Sequence, residues 1–368
     1  MGIGLYIHVP FCRQKCPYCD FYSLAGREDA VKDYALSVVR NVEHYGQRFH
    51  SPHVDTIYFG GGTPSLLPAQ EYARIFEAIA RHFHLHDPEI SLEANPGSVS
   101  LEGLQALHAV GFNRISFGVQ SLQDDELREL GRLHDRQEAM QAIQNAREAG
   151  FKNISADLMI GIIRQNLYSL EKSIRELAQL ELSHVSAYLL KIEPGTPYAQ
   201  QRIDTRVPDE DACADLYLRA VETLGECGFH QYEISNFCRE GFACRHNLHY
   251  WRCEEYLGIG PSAHSYLGGK RFAVPRSLKD FLHEPVQPEY VTDDSPGEFS
   301  EYAMLQIRLM EGLDLDFCAL KYGADKASIL KNAGLLIQNG LLEHRDGRMV
   351  LTPSGCLVSN QIIGHLFV

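Results

Sequence analysis

Residues 11–21 read FCRQKCPYCDF and follow directly on an apolar run at 3–9. Three cysteines, Cys12, Cys16 and Cys19, are spaced C-x3-C-x2-C within eight residues. Thiolates so close in sequence can close around one metal centre, and soft thiolates favour iron–sulfur clusters, zinc or copper(I). A structural zinc site wants four ligands, so zinc here calls for a distant Cys or His. A cubane cluster has four irons, and three cysteines leave one iron open to another ligand.

Working outward, the run at 3–9 reads as a buried strand that empties into the cysteine loop. Val31, Tyr34, Ala35, Val38, Val39 and Val42 then repeat at helical spacing. Further strands are expected over 54–59, 89–93, 113–119, 153–160 and 185–190, with helices over 101–110, 124–130 and 137–149 and a helical pattern at Leu167, Leu170, Ile174 and Leu177. Strands alternating with helices predict a parallel sheet. Short, regular units favour an α/β partial (β/α)6 TIM-type barrel over an open doubly wound sheet. Tyr6, His8, the glycines 60–62, Glu93, Asn95, Gln120, Ser121 and Asp157 fall late in these strands or at their ends. Barrels build their sites at the C-terminal ends of strands, so these residues are expected to share one mouth with the cysteine loop.

Three segments are expected: a barrel at 1–230, an irregular connection at 231–296 that ends in a linker-like stretch at 275–296, and a C-terminal module at 297–368. In that module a helix at 327–339 stops at Gly340, and a hairpin at 341–352 turns on Asp346-Gly347. Helix plus hairpin resembles a winged helix. Of the 368 residues 45% are apolar and 22% charged, an ordinary globular balance. The net charge of -14 argues against nucleic-acid binding as the main function and against DNA binding by that module, and leaves room for a local basic patch. No apolar run is long enough for a membrane span, and the N-terminus lacks a secretory pattern. Ten cysteines in such a chain read as ligands and buried thiols in a cytoplasmic protein.

Gly60-Gly61-Gly62-Thr63 lets a ligand approach the backbone, though a plain strand-to-helix turn needs no more. Glu93, Gln120 and Asp157 each also read as ordinary polar barrel residues; three on successive strands suit a polar, cationic ligand with hydroxyl groups. Arg132 by itself reads as the solvated face of a helix. His246-Asn247-Leu248-His249-Tyr250-Trp251 allows two readings: a haem ligand with aromatic cover, or a hydrogen-bonded loop histidine among packed rings. The second is the better one on residue chemistry alone. Cys238, Cys244 and Cys253, with His249 and His264, are weaker candidates for another metal site.

The C-x3-C-x2-C loop resembles the signature of the radical S-adenosylmethionine (SAM) superfamily. Tyr6-Ile7-His8-Val9-Pro10-Phe11-Cys12, Gly60–Ser65, Gly118-Val119-Gln120-Ser121 and Glu193-Pro194-Gly195-Thr196 resemble oxygen-independent coproporphyrinogen dehydrogenases and their relatives over nearly the whole chain. The resemblance implies a [4Fe-4S] cluster on Cys12, Cys16 and Cys19, with SAM completing the fourth site. By motif position it implies a SAM pocket lined by Tyr6, Tyr18, Gly61, Gly62, Thr63, Glu93, Gln120, Arg132 and Asp157, which promotes Arg132 from the surface to the site. It also implies reductive cleavage of the sulfonium to a 5′-deoxyadenosyl radical.

The dehydrogenases carry a longer N-terminal segment and a fourth cysteine where this chain has Phe21. The HNxxYW pattern at 246–251 resembles instead the shorter, HemW-type haem chaperones. That branch implies haem bound at His246 and passed to an acceptor protein, with peripheral contact to membrane-bound haem proteins. The alternative is coproporphyrinogen III decarboxylation, and whether the chain is an enzyme stays open. Gly161-Ile162-Ile163-Arg164-Gln165 stands where the family has G-L-P-G-Q, an altered loop at the mouth.

Overall fold

In strand β1 (Ile3–Val9), Leu5, Ile7 and Val9 share a core with Tyr34, Val38 and Val42 of helix α1 (Val31–Arg48), while Tyr6 and His8 point to the opposite side. This is the two-residue period of a strand. The computed structural model describes residues 2–293 and 295–367. β2 (His53–Gly61), β3 (His84–Ala94), β4 (Arg114–Gln120), β5 (Asn153–Ile160) and β6 (His184–Leu189) follow in parallel order. They are separated by α2 (Ala69–His82), α3 (Leu101–Ala109), α4 (Asp124–Glu129), α5 (Arg136–Glu148) and α6 (Leu167–Ala178). α5 starts on a capping box, with Asp135 and Glu138 each satisfying the other's backbone N–H. The fold is the α/β partial barrel expected. Register pairs Tyr6 with Tyr58, Glu93 with Ser116 and Asp157 with Ser186, which turns these polar side chains to one side of the sheet.

The segment after α7 (Glu210–Glu226) differs from expectation. The described residues from 231 to 293 are not irregular throughout: their strands extend the same sheet at both edges. β7 (His230–Glu233) and β8 (Asn236–Cys238) add antiparallel strands beyond β6. After α8 (Arg245–Trp251), β9 (Tyr256–Ile259) pairs parallel with β1 on its other side. β10 (His264–Leu267), β11 (Lys270–Ala273) and β12 (Tyr290–Asp293) continue antiparallel. The sheet runs β12-β11-β10-β9-β1-β2-β3-β4-β5-β6-β8-β7. Of the linker expected at 275–296, the described residues up to 293 hold structure too, and residue 294 lies outside them. It holds α9 (Leu278–His283), and Gln287 is buried between the Asn41 side chain at 2.8 Å and the Gly258 carbonyl at 3.0 Å. Strands of three or four residues leave no run long enough for alternation to register.

The C-terminal part packs α10 (Phe299–Gln306), α11 (Leu315–Tyr322), α12 (Lys326–Gln338) and α13 (Ser359–Phe367) around a hairpin of β13 (Leu342–Arg345) and β14 (Arg348–Leu351). The hairpin turns on Asp346 and Gly347, both at positive φ as a two-residue turn requires. Among the described residues no helix is long and apolar enough to cross a membrane.

α8 closes the end of the barrel opposite the cysteine loop. The Glu89 carboxylate of β3 accepts from the backbone N–H groups of Arg245 (3.3 Å) and His246 (3.2 Å), a carboxylate at the positive end of the helix. His249, buried, donates from Nε2 to Asp55 of β2 at 2.8 Å, and the Glu254 carboxylate lies 2.9 Å from Nδ1. Burial lowers its pKa, but the Glu254 and Asp55 carboxylates outweigh that and raise it above the usual value. A raised folded pKa gives stability that is full below the unfolded histidine value near 6.5 and is lost as pH rises through the folded value. The urea midpoint of the wild type is therefore expected to fall above about pH 6.5 by more than that of His249→Gln. Parallel pH profiles for the two proteins would refute the role.

Candidate functional site

The cysteine loop sits at the C-terminal ends of the strands because the glycine turn after β2 holds it there. Gly62 N–H donates to Val9 O (2.8 Å) and Thr63 N–H to Phe11 O (2.7 Å). A Cβ on Gly62 would lie 2.5 Å from Phe11 O, and one on Gly61, whose φ is +108°, 2.4 Å from the His8 ring. A Cβ on Gly60 would meet the Tyr58 ring and the Glu93 carboxylate at 2.9–3.0 Å. Gly62 is needed for backbone-to-backbone approach within the protein, and Gly60 and Gly61 for the close seating of the Tyr58, Glu93 and His8 side chains, a stronger demand than ligand access. The next residue reaches the metal-ligand candidates: Thr63 Oγ1 lies 3.4 Å from Cys12 Sγ.

Arg132 corrects its reading as a solvated helix face. It lies in the loop between α4 and α5, and its guanidinium turns into the mouth. Nη1 is 3.4 Å from both Cys16 Sγ and the Tyr18 hydroxyl; Nη2 donates to Asn95 Oδ1 (2.5 Å) and Gly118 O (2.7 Å). Asn95 in turn donates to Thr63 Oγ1 at 2.9 Å, so one chain of polar contacts joins Cys16 to Cys12. Arg132 Nε is buried and has no hydrogen-bond partner among the described residues. A buried, unpaired cationic edge beside thiols suits an anionic group.

Deeper in the barrel, Glu93 accepts from the Tyr58 hydroxyl (2.9 Å) and from Gly61 N–H (3.0 Å). Burial first, then the Asp157 charge, push its pKa up to about 7. Burial also raises Asp157, against hydrogen bonds from Ser186 and Ser116, the latter at 3.0 Å. Gln120 ends β4 at φ +67°, and its amide lies on the same inner side as Gly118 and Arg132. Tyr6 bonds to His8 Nδ1 at 3.0 Å, inside the barrel. The fold thus gathers Cys12, Cys16, Tyr18, Thr63 and Arg132 at the lip and Tyr6, Glu93, Gln120 and Asp157 just beneath it. Cys19 shares the loop, its backbone N–H closing a turn on Cys16 O at 3.1 Å. The altered loop is closed by its own side chains. Gln165 bridges Gly161 N (2.8 Å) and Met159 O (2.9 Å), and Arg164 takes the left-handed φ of +69° while ion-pairing with Glu129 at 3.0 Å.

Among the described residues no three His, Cys, Asp or Glu side chains converge where a single ion would sit. The zinc reading called for a distant Cys or His; what the fold brings to these thiols is Thr63 and Arg132. Cys238, Cys244 and Cys253 do not assemble a second site either. Cys244 is buried against Glu89, with Sγ 3.6 Å from the carboxylate.

His246 is not placed as a haem ligand. It lies on α8 rather than in a loop, 1% exposed, in the closed end of the barrel. Its Nδ1 is 2.8 Å from Thr56 Oγ1 and its Nε2 2.8 Å from the Tyr250 hydroxyl, so neither nitrogen has a lone pair free for iron. The plainer reading, a hydrogen-bonded histidine among packed rings, describes it. Tyr58 stacks on it with centroids 5.1 Å apart.

Residues 6–177 match the family model of the radical SAM superfamily, and residues 298–358 match the HemN C-terminal domain. Heme chaperone HemW of Bacillus subtilis is 34% identical over 372 residues, covering 98% of this chain and 97% of that protein. The chain belongs to the HemW family of radical SAM proteins. Heme chaperone HemW of Escherichia coli is 35% identical over 319 residues, 84% of this chain and 83% of that one. A bovine mitochondrial relative, radical S-adenosyl methionine domain-containing protein 1, is 39% identical over 268 residues, 71% of this chain and 60% of the relative. The fold matches that of coproporphyrinogen III oxidase (HemN) from Escherichia coli with a TM-score of 0.84 at 23% identity, over 100% of this chain and 90% of that one.

The sequence places Asn95 at the mouth, but singles out neither its link to Arg132 nor Arg114. Asn95 lies two positions after Glu93, hence on the same side of the strand end. Arg114, buried in β4 with its Nε unpartnered, shares parity with Ser116 and Gly118. Period-two reading marks both.

His246→Ala is expected to cost about 2–4 kcal/mol, because it leaves the Thr56 and Tyr250 hydroxyls buried without their partner and opens a cavity. Urea unfolding measures this; a loss below about 0.5 kcal/mol, the scale of surface substitutions, would show that the histidine is not part of the scaffold.

Proposed function

We propose that this chain binds haem and passes it to an acceptor protein, and that Cys12, Cys16 and Cys19 hold a [4Fe-4S] cluster whose open iron takes an exchangeable SAM. The observation that carries the cluster half is the approach of Thr63 to Cys12 and of Arg132 to Cys16, with the Arg132 Nε left unpaired, all at the strand ends. The naming of the curated relatives as heme chaperones supports the cargo half. When bound, the cluster supplies one-electron chemistry. The protein's own residues bind and orient. Arg132 faces negative charge at the lip, Gly118 O and Asn95 fix its planar fork, and Glu93 and Asp157 offer carboxylates to a cationic ligand beneath. A soluble, cytoplasmic existence fits ten cysteines that are all free thiols, with haem proteins at the membrane among the acceptors.

Anaerobic reconstitution with iron and sulfide, followed by hemin titration, tests both halves. The wild type is expected to gain the broad visible absorption of sulfur-to-iron charge transfer and then a Soret band. Alanine at any of Cys12, Cys16 or Cys19 is expected to lose the first and keep the second. A wild type with no change on adding hemin would sink the cargo half; cluster absorption that survives all three substitutions would sink the other.

Glu93 adds a pH test. With its pKa up to about 7 it is near half-protonated at neutrality. A cation seated beside it favours the carboxylate, so SAM binding to the reconstituted protein is expected to release protons near pH 7 and not above about pH 9. Calorimetry in buffers of different ionisation enthalpy reads the release. Equal release in Glu93→Gln would assign it elsewhere.

A further inference from the structure

A second cleft lies between the C-terminal leg of the cysteine loop and the strands that extend the sheet beyond β1. Phe21, Tyr22, Tyr250, Tyr256, His264 and Arg276 line it. Its walls come from distant parts of the chain. Tyr22 is held by two contacts, its carbonyl 2.8 Å from His8 Nε2 and its hydroxyl accepting from Leu278 N–H at 2.9 Å. Tyr250 and Tyr256 meet edge to face with centroids 4.6 Å apart. Phe21, 65% exposed, stands at the rim with nothing apolar covering it. It occupies the position at which the dehydrogenases carry a cysteine.

His264 opens β10 and reaches the cleft from the edge. It is exposed, and no described residue hydrogen-bonds to its ring. The other two histidines nearby are both engaged: His8 by Tyr6 and Tyr22, His246 by Thr56 and Tyr250. Arg276 is exposed and only loosely held, its Nη2 3.3 Å from Asp20 O and 3.4 Å from Asp20 Oδ2.

We propose that this cleft is the haem site, with His264 as the iron ligand, Phe21 and the tyrosines against the macrocycle, and Arg276 pairing with a propionate. The proposal rests on the haem-carrying reading above. An iron porphyrin asks for apolar or aromatic faces, a nitrogen lone pair at one side, and a cation at the edge that bears its carboxylates. The cleft holds all three together; the HNxxYW helix contributes Tyr250 to its wall, while both ring nitrogens of His246 are engaged. Binding forms one coordinate bond from an imidazole nitrogen to iron; no bond of the porphyrin breaks and no electron moves. The site adjoins the cysteine loop through Asp20, Phe21 and Tyr22, so cargo and cluster face each other across three residues of backbone.

Two probes, hemin and metal-free protoporphyrin IX, are titrated into wild type, His264→Ala and Arg276→Gln by absorption and fluorescence quenching. Hemin affinity is expected to drop roughly 10- to 100-fold in His264→Ala, the scale of weakening a metal site's coordination, with a shifted Soret band that added imidazole restores. Protoporphyrin is expected to bind wild type and His264→Ala alike, and both porphyrins to bind Arg276→Gln more weakly. Both side chains are solvent-accessible, so urea unfolding of the variants is expected to match the wild type. A His264→Ala protein with unchanged hemin affinity and Soret position overturns the site alone. Wild type that binds no hemin overturns the site and the cargo reading together.

Discussion

The close approach of two backbones, the turn after β2 and the exit of β1, is the constraint on which the rest depends. Two N–H groups donate across it, from Gly62 to Val9 and from Thr63 to Phe11. It leaves no room for a Cβ on Gly62, and the His8 ring leaves none on Gly61. Once it is made, the cysteine loop has one direction to run, over the open ends of the strands. Thr63 is thereby aimed at Cys12, and Asn95, one strand further, links Thr63 to Arg132. A substitution at Gly62 would displace the loop as a body, because the clashing atoms there are main chain.

The charges at the mouth are unequally satisfied, and the inequality is informative. Arg132 uses both terminal nitrogens within the protein and leaves its Nε unpaired. Glu93 and Asp157 face one another with pKa values raised chiefly by burial. An apolar barrel of the same shape would be more stable than one holding buried cations and carboxylates short of partners. The arrangement makes sense as one half of a complex, in which an anion at the lip and a cation beneath it complete the pairing.

The six parallel strands were legible because each has five or more residues of strong apolar pattern and is followed by a helix of plain amphipathic period. Glu93, Gln120 and Asp157 were legible as a group because strand ends in a barrel share a mouth. Arg132 was not, since a charged residue in a short loop looks solvated until the loop folds over Cys16; only the family motif lifted it to the site. The edge strands were missed for a different reason. β9 has four residues, and its parallel pairing with β1 joins positions about 250 residues apart, which no local pattern records. Missing it hid the cleft beyond β1 as well.

The HNxxYW helix is tied into the fold at every turn. Its residues are accounted for by packing. His246 bridges Thr56 to Tyr250, and His249 ties the helix to Asp55. The Trp251 carbonyl accepts from Gln306 of α10 at 3.3 Å, and Arg308 lies over the Trp251 ring at 5.7 Å. The helix therefore couples the closed end of the barrel to the C-terminal part. Tyr250 of the same helix meets Tyr256 of β9 edge to face, with centroids 4.6 Å apart. The helix's ring contacts, from Tyr58 on His246 to Tyr256 on Tyr250, run from the barrel interior to the strand beside β1, so the helix is braced on three sides.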